Sequence, residues 1–353
     1  MKIIKIGGTA LFSKKDLVTF VANSKTYESP ALYVISAFDK LSSELKYFIE
    51  NILINDDLSY PMSKFTELFD LLDSKQCKIF THFLENVSIN INRLVLGARK
   101  TNEIPPLIVD EILSYGEIVS SFFIHCLFLS NGIESNFIDA RSLITTNNSF
   151  GKATPELDIS KSKILDNINK NRITITQGFI GADKQGRTTT MGFESSNLSA
   201  MIFAEALQSS EIEIIMKVTQ IYSYDPEVLS NARPVNRIPY ESAKLLSKYN
   251  FKLIYPGMID IAIKNDIILG YTGLYSKSCS VISNSSEFGM SVVLEYKGSI
   301  LITPISKKNS ITLVSKYVDD LVKYSYDSSN FSLTLELKSS NPKKIHNDII
   351  SLF

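Results

Sequence analysis

The sequence predicts an α/β protein: a mostly parallel sheet with helices on both faces, followed by a small α+β C-terminal domain. Residues 3–6 read as a short strand that runs into a Gly-Gly turn, and the near-continuous apolar run at 31–37 suits a buried parallel strand. The segment between them has the apolar spacing of an amphipathic helix, and such alternation is typical of a parallel sheet with crossover helices. Beyond about residue 290 the pattern becomes strand-rich, which indicates the second domain.

The first predicted domain, residues 1–275, contains the parallel sheet. Its strands are short and apolar, and prolines interrupt a long helical region at Pro61, Pro105 and Pro106. The predicted elements, in order, are a strand at 3–6, a helix at 16–24, a strand at 31–37, helices within 41–129, strands at 173–176 and 178–181, a helix at 196–207, a strand at 212–218, and helices at 241–248 and 258–263.

The second predicted domain, residues 276–353, begins in a serine-rich segment at 275–286 that indicates a domain boundary. Residues 331–337 alternate apolar and polar, which is typical of a half-buried strand. Asn341 can cap a final helix with Pro342 at its first position. The other predicted strands lie at 291–296, 300–304 and 311–314, with no full amphipathic helix predicted between residues 311 and 331.

The composition excludes several classes of function. The 37 basic and 37 acidic residues balance, so bulk charge supports neither nucleic-acid binding nor binding to an anionic membrane. No apolar run reaches the ~18 residues that a membrane span needs, and the N-terminus does not read as a signal peptide. Three scattered cysteines predict neither a disulfide framework nor a zinc site. We therefore predict a cytoplasmic protein.

A lysine and two glycines end the first strand, at Lys5, Gly7 and Gly8. Glycines let a polyphosphate approach the backbone, and an ammonium group can neutralise charge on a transferred phosphoryl group. The segment is not a Walker A loop, because no G-x-x-x-x-G-K-[ST] occurs. A tight turn beside a surface lysine accounts for the same residues, so the motif alone leaves both interpretations open.

Longer segments resemble the aspartokinase family in one collinear register over about residues 1–275. Residues 5–10, KIGGTA, are similar to the family's K-F-G-G-T-S opening. The strongest match is ITQGFIG at 175–181 with its continuation DKQGRTTTMG at 183–192. Further similar segments are YVISA at 33–37 with LS at 41–42, SYGE at 114–117, DAR at 139–141, FGKA at 150–153, IY at 221–222, DP at 225–226 and KLIYP at 252–256.

The resemblance implies transfer of the ATP γ-phosphate, with Mg²⁺, to the side-chain carboxylate of aspartate or a related small amino acid. Such a transfer needs mainly positioning and charge neutralisation. No metal-ligating residue is assigned. The implied residues are Lys5, Lys252 and Asn197 for catalysis, Ser36, Ser42, Glu117 and Phe193 for the acceptor, and Gly7, Gly8, Lys217 and Tyr222 for the nucleotide.

The family's most diagnostic run, L-G-R-G-G-S-D-x-x-A, reads MGFESSNLSA at 191–200. Phe193 replaces the arginine that clamps the acceptor's α-carboxylate, and a phenyl ring cannot form that bidentate bond. Asn197 replaces the aspartate that orients the strand-one lysine. Glu194 and Ser195 replace two glycines, which adds bulk and negative charge where phosphates approach.

The segment that the family uses to bind the nucleotide, and the C-terminal tail, also differ from the family's pattern. Met216 and Lys217 replace a threonine and an aspartate, and Glu227 replaces an arginine. The tail has room for one reduced ACT-like module where the family has two, so effector binding and a dimerisation or capping role both stay open. Because these changes lie at functional positions while the framework glycines and strands persist, they indicate relaxed or redirected selection.

Three hypotheses follow: a weakened aspartate kinase, a catalytically inactive pseudokinase that acts as a binding or regulatory partner, and a kinase for another acceptor. We expect Lys5, Gly8 and Lys252 to meet at the carboxyl end of the sheet, where open α/β sheets bind ligands. We also expect a homodimer that buries part of the tail, because a module this small cannot bury its own apolar strand 331–337 and the stripe Ile345, Ile349 and Leu352.

Overall fold

The structure is a computed structural model of the chain. It describes residues 1–353 except 12, 27–29, 39, 56–60, 193–194, 218–219, 250, 252, 256, 286, 288, 339–340 and 353, together with the side chains of 277 and 278. The chain divides into two compact units, Met1–Lys217 and Val218–Phe353. Each unit is described by itself.

The first unit is an α/β layer structure around a parallel sheet. Its five parallel strands follow the order β3-β5-β2-β1-β8, and a smaller sheet has the order β4-β6-β7. The elements are β1 (Lys2–Ile6), α1 (Lys14–Ser24), β2 (Ala31–Ile35), α2 (Leu41–Asn51), a 3-10 helix (Pro61–Leu71), α3 (Ser74–Thr101), α4 (Pro106–Ser130), β3 (Ser135–Phe137), β4 (Thr145–Thr146), α5 (Leu157–Asn167), β5 (Ile173–Gln177), β6 (Ile180–Asp183), β7 (Thr188–Thr190), α6 (Ser196–Leu207) and β8 (Glu211–Met216).

Strands β1 and β2 are buried on both faces. All five residues of β2 are buried, and side chains of a strand alternate between faces, so both faces of the sheet must be covered. On one face the ring of Tyr33 lies between Phe20 of α1 and Phe128 of α4, with centroids 5.7 and 5.2 Å away. Helix α6 also packs on β1 and β2. The predicted parallel sheet with helices on both faces is confirmed.

Helix α4 is the long core helix of this unit. It is long and apolar enough to cross a membrane, but 83% of its most apolar window is buried inside the fold. Near its start, Asp110 is fully buried and accepts hydrogen bonds from the backbone N–H groups of Gly151 and Thr190, at 2.9 and 2.8 Å. This one carboxyl group therefore ties α4 to the loop at Gly151 and to the end of strand β7, which both lie in stretches that resemble the aspartokinase family.

The second unit combines a short mixed sheet with a four-stranded antiparallel sheet. Strand β11 pairs antiparallel with β10 and parallel with β9, and the other sheet has the order β12-β13-β15-β14. The elements are β9 (Arg237–Pro239), α7 (Tyr240–Lys248), α8 (Met258–Asn265), β10 (Ile268–Gly273), β11 (Ser276–Ser283), β12 (Val292–Tyr296), β13 (Ser299–Thr303), α9 (Lys307–Lys316), β14 (Leu321–Asp327), β15 (Ser332–Leu337) and α10 (Pro342–Ile350).

One strand prediction for the C-terminal part is wrong. Residues 311–314, predicted as a strand, lie in helix α9, which Ser306 caps by accepting from the Asn309 N–H at 3.1 Å. Leu313 and Tyr317 form its buried stripe, and this spacing of four is helical. Most of the serine-rich segment at 275–286 lies in strand β11. The domain boundary at residue 275 stays a prediction.

The final helix follows its prediction closely. Asn341 caps α10 by accepting from the Lys344 N–H at 3.0 Å, and Pro342 is its first residue. Ile345 and Ile349, like Leu333 and Leu335 of β15, are fully buried within the single chain. The expectation that a module this small cannot bury this strand and stripe by itself is therefore wrong. Strand β14, however, was not predicted, although Val322, Tyr324 and Tyr326 alternate with polar residues along it.

Candidate functional site

The carboxyl ends of four parallel strands meet at one edge of the first unit, and the backbone forms a continuous floor there. Beyond the strand ends, the Gly7 N–H donates to the Ile215 carbonyl at 2.9 Å, and the Ser36 N–H donates to the Ile6 carbonyl at 3.2 Å. The Gly178 N–H extends the same pattern toward β2. Open α/β sheets bind their ligands at this edge, so it is the candidate site.

Lys5 and Gly7 lie against each other in this floor. A Cβ atom added to Gly7 would lie 3.3 Å from the Ile215 carbonyl oxygen and 3.6 Å from the Lys5 Nζ atom. Any larger residue would therefore crowd the ammonium group and the backbone that a phosphate would approach. Lys5 is 9% exposed, which keeps its charge at the site rather than in bulk water.

Helix α4 brings Glu117 to the end of β2. Gly116 permits the approach, because an added Cβ atom would lie 3.1 Å from both Ala37 Cβ and Leu45 Cδ1. The Ala37 N–H donates to Glu117 Oε1 at 3.3 Å, while Glu117 Oε2 is buried without a hydrogen-bond partner among the described residues. A buried carboxylate oxygen of this kind is suited to receive a donor from a ligand.

Burial raises the pKa of Glu117 from 4.5 to about 8, and the Ala37 N–H and the Lys5 charge oppose this only in part. At neutral pH the carboxyl group is therefore mostly protonated. A cation placed beside Oε2 would favour the ionised form, because an opposite charge lowers the pKa of a carboxyl group. Glu117 is thus suited to bind the ammonium group of a ligand.

The amino-terminal end of α6 packs against the residues that follow β5, next to the candidate site. Gly178 is needed here, because a Cβ atom would lie only 2.6 Å from Ser196 Cβ. Phe179, next to it, has a φ of 68° and donates its N–H to Ser199 Oγ at 3.0 Å. Ser195 Oγ is buried without a partner within the described part of the chain. The first-turn N–H groups of a helix attract anions.

The structure brings six of the predicted residues to this one edge. Ser42 lies nearby in sequence, in the first turn of α2, and Lys217 is exposed just after β8. Tyr222 belongs to the second unit, where it is half-buried and bridges to Pro234. Phe193 and Lys252 lie outside the described residues, so the meeting of Lys5 with Lys252 stays a prediction. The six residues at the edge are Lys5, Gly7, Gly8, Ser36, Glu117 and Asn197.

Sequence reasoning missed Ser120 and Ser199. The Phe38 N–H donates to Ser120 Oγ at 3.0 Å, which holds the chain just after β2 against α4. Ser120 follows Glu117 by three positions, and this spacing places both on one helix face. The spacing of three positions from Glu117 is the sequence signal that could have identified Ser120. Among the described residues, no group of three His, Cys, Asp or Glu side chains lies close enough together to hold a metal ion.

Comparison with known proteins identifies the family. The model of the amino acid kinase family matches residues 1–269. Lysine-sensitive aspartokinase 3 of Escherichia coli is 30% identical over 188 residues, which cover 52% of this chain and 40% of that protein. Aspartokinase of Chlamydia pneumoniae is 28% identical over 259 residues, which cover 73% of this chain and 56% of that protein.

A solved structure agrees at the level of the fold. The structure of E. coli aspartokinase III in complex with aspartate and ADP covers 97% of this chain with a TM-score of 0.72 and 21% identity, and 79% of that chain is matched. The chain spans only about half the length of the two curated relatives. The chain therefore belongs to the amino acid kinase family, and its similarity within that family is to the aspartokinases, which confirms the resemblance predicted from the sequence.

Proposed function

We propose that this chain is an ATP-dependent kinase of the aspartokinase type whose activity is weakened or redirected. Its acceptor is the side-chain carboxylate of aspartate or of a related small amino acid. The observation that carries the proposal is the arrangement of Lys5 over Gly7, with Lys5 acting electrostatically on the buried Glu117. One cation for a phosphoryl group and one carboxyl group for an ammonium group then lie at the same edge.

Each described residue has a role that follows from its chemistry. The nucleotide's phosphates approach the backbone at Gly7 and Gly8, and Lys5 stabilises charge on the transferred group. Glu117 binds the acceptor's ammonium group through Oε2, and Ser36 directly precedes Ala37, whose N–H donates to Glu117 Oε1. Mg²⁺, when bound, neutralises the phosphates and is held mainly by them, since it needs few protein carboxylates. We propose that the protein acts in the cytoplasm.

The pseudokinase alternative rests on the end of β8. Met216 is 8% exposed there and carries no hydrogen-bonding group for a nucleotide, and the exposed Lys217 follows it. The two hypotheses differ in ATP binding, which calorimetry with and without Mg²⁺ measures. Binding of ATP supports the kinase, and absence of binding at millimolar ATP contradicts it.

Repairing the altered residues is expected to raise aspartate-dependent ADP release by at least about tenfold, or about 1.4 kcal/mol. The variant combines Phe193→Arg, Asn197→Asp and Glu194→Gly. Arginine restores a bidentate partner for an α-carboxylate, and aspartate restores a charge beside Lys5. Each change alone should give less, because the first does not restore the negative charge at position 197 and the second leaves the acceptor unanchored. A coupled ADP-release assay measures the rate.

The control adds Lys5→Met to the repaired chain, which should abolish the gain. If the repaired chain gains nothing and the parent binds no ATP, the pseudokinase hypothesis is correct. If the gain survives the loss of Lys5, the proposed role of that lysine is wrong.

We propose that residues 276–353 contain a reduced ACT-like domain that forms a homodimer. The four-stranded antiparallel sheet and helices α9 and α10 are the parts of a βαββαβ unit, with the chain order rotated to ββαββα. Strand β14 is an edge strand of this sheet, and its Val322 and Tyr324 are 58% and 53% exposed. An exposed edge with apolar side chains is a template for pairing with a second copy.

The pair of changes Val322→Lys and Tyr324→Lys is expected to convert the dimer to a monomer, because charges on an edge strand oppose pairing. Light scattering after size-exclusion chromatography, at micromolar concentration, measures the mass. The matched control is Val228→Lys, which changes a valine that is 50% exposed on a loop. A wild-type monomer under these conditions contradicts the prediction.

A further inference from the structure

The C-terminal helix α10 contacts a segment of the second unit that carries Tyr222. Residues 221–235 fold back on themselves: the Val235 N–H donates to the Ile221 carbonyl at 2.8 Å, and the Ser223 N–H donates to the Arg233 carbonyl at 2.8 Å. Tyr222 lies inside this pairing, opposite Pro234. We name residues 221–235 the Tyr222 loop.

Ser223 is the centre of three contacts. Its side-chain oxygen accepts from the Arg233 N–H at 2.9 Å and lies 2.7 Å from His346 Nε2, while its carbonyl accepts from the Val293 N–H of β12 at 2.8 Å. Ser223 and His346 are both fully buried. Since Ser223 Oγ already accepts one hydrogen bond, its own hydrogen can donate to His346 Nε2.

Helix α10 is itself fixed to the rest of the tail. Asp348 forms an ion pair with Lys316 at 2.6 Å and accepts a hydrogen bond from the Tyr317 hydroxyl. A second contact to the loop runs beside the first, from Asn231 Nδ2 to Asn347 Oδ1 at 2.8 Å. Helix α10 is therefore fixed in place, and its contacts can restrict the movement of the Tyr222 loop.

We propose that His346 is a positioning residue: through Ser223 it fixes the Tyr222 loop in the conformation that binds the nucleotide. The nucleotide part of this inference rests on the proposed function and on the nucleotide role that the resemblance implies for Tyr222. The anchoring itself rests only on the buried Ser223–His346 contact and the hydrogen bonds of the loop. The tail thus acts on nucleotide affinity within a single chain.

The charges around His346 give this contact a pH dependence. Burial lowers the pKa of His346, Arg233 lowers it further, and the Asn347 side chain opposes them. The Tyr224 ring packs against the imidazole, with centroids 5.7 Å apart, and Glu295 of β12 acts on that tyrosine. Protonation would remove the acceptor at Nε2 and bury a charge, so the anchor weakens as pH falls through the lowered pKa of His346, below the usual imidazole range.

Hydrogen exchange tests the anchor directly. In His346→Leu, the Arg233 and Val235 amides should exchange at least about tenfold faster at constant pH, while amides of β1 and β2 stay unchanged. His346→Gln should exchange within about twofold of wild type, because its amide can still bond Ser223 without titrating. If His346→Leu does not fold, Ser223→Ala serves as the smaller change. Unchanged exchange at both amides overturns the proposal.

Calorimetry tests the nucleotide part. His346→Leu should weaken ATP binding about five- to tenfold, and wild-type affinity should fall more steeply than that of His346→Gln between pH 7 and pH 5.5. The matched control is His125→Gln: His125 also has a lowered pKa and a serine partner, Ser135 Oγ at 2.9 Å, but belongs to the first unit. Faster exchange in a chain that binds no ATP supports the anchor and refutes the proposed function.

Discussion

Replacing Lys5 with methionine is expected to lower phosphotransfer about 10²–10³-fold, the effect of removing one preorganised group that stabilises transition-state charge. Methionine keeps an unbranched apolar stem at the end of β1 and removes only the ammonium group. Because Lys5 lies beside Gly7 at the carboxyl edge, its charge acts where the phosphoryl group transfers. A coupled ADP-release assay at saturating ATP measures the loss, and ATP affinity should change much less than the rate.

The matched control is Lys2→Met, at the opposite end of the same strand. Lys2 forms an ion pair with Glu213 at 2.5 Å, with both side chains about a quarter exposed, so this change tests the loss of a lysine from β1 away from the site. Pairs of this kind contribute little to stability, roughly 0–1 kcal/mol. Activity within about twofold of wild type is expected. Equal activity in Lys5→Met and the parent would refute the catalytic role of Lys5.

The sequence predicted the first unit well because its strands are buried on both faces. Strand β2 is a continuous apolar run, and β1 is apolar except for Lys2 and Lys5, so both are readable without knowing their neighbours. Helix α6 was predicted at its observed bounds, Ser196–Leu207. Since the carboxyl ends of parallel strands lie at one edge, the grouping of Lys5, Gly7 and Ser36 followed from the strand predictions alone.

The features that the sequence did not predict depend on contacts between residues that are far apart in the chain. Residues 311–314 of helix α9 were read as a strand because the short run ITLV is apolar and rich in β-branched residues, whereas the cap at Ser306 and the buried Leu313 determine a helix. The environment of Glu117 depends on a contact with Ala37, 80 positions away. No local pattern reports that contact, so the raised pKa of Glu117 could not be predicted from the sequence.

Glu117→Gln is expected to weaken acceptor binding roughly 10–100-fold, because a hydrogen bond to a charged group contributes about 1.5–3 kcal/mol. The wild-type affinity should rise with pH toward about 8, since the carboxyl group must ionise to pair with an ammonium group. Below that pH, acceptor binding should release a proton. Calorimetry in two buffers of different ionisation enthalpy measures the release, which Glu117→Gln should lose.

The same substitution, although it weakens acceptor binding, should raise the stability of the folded state at high pH. The folded pKa of Glu117, about 8, lies above its ordinary value of 4.5, so the protonated carboxyl group favours the folded state. That contribution is complete below about pH 4.5 and is lost as pH rises through about 8. Glutamine cannot ionise, so Glu117→Gln should match the wild-type melting temperature near pH 5 and exceed it near pH 8.5.

The control for this pair of effects is Glu103→Gln, which changes an exposed glutamate. It should alter neither the acceptor affinity nor the pH dependence of the melting temperature. A substitution that stabilises the fold while removing ligand binding indicates a residue kept for its function, because burial of an ionisable carboxyl group costs stability that only a bound cation offsets. If Glu117→Gln melts below wild type at pH 8.5, Glu117 is a structural residue and the proposed acceptor site is wrong.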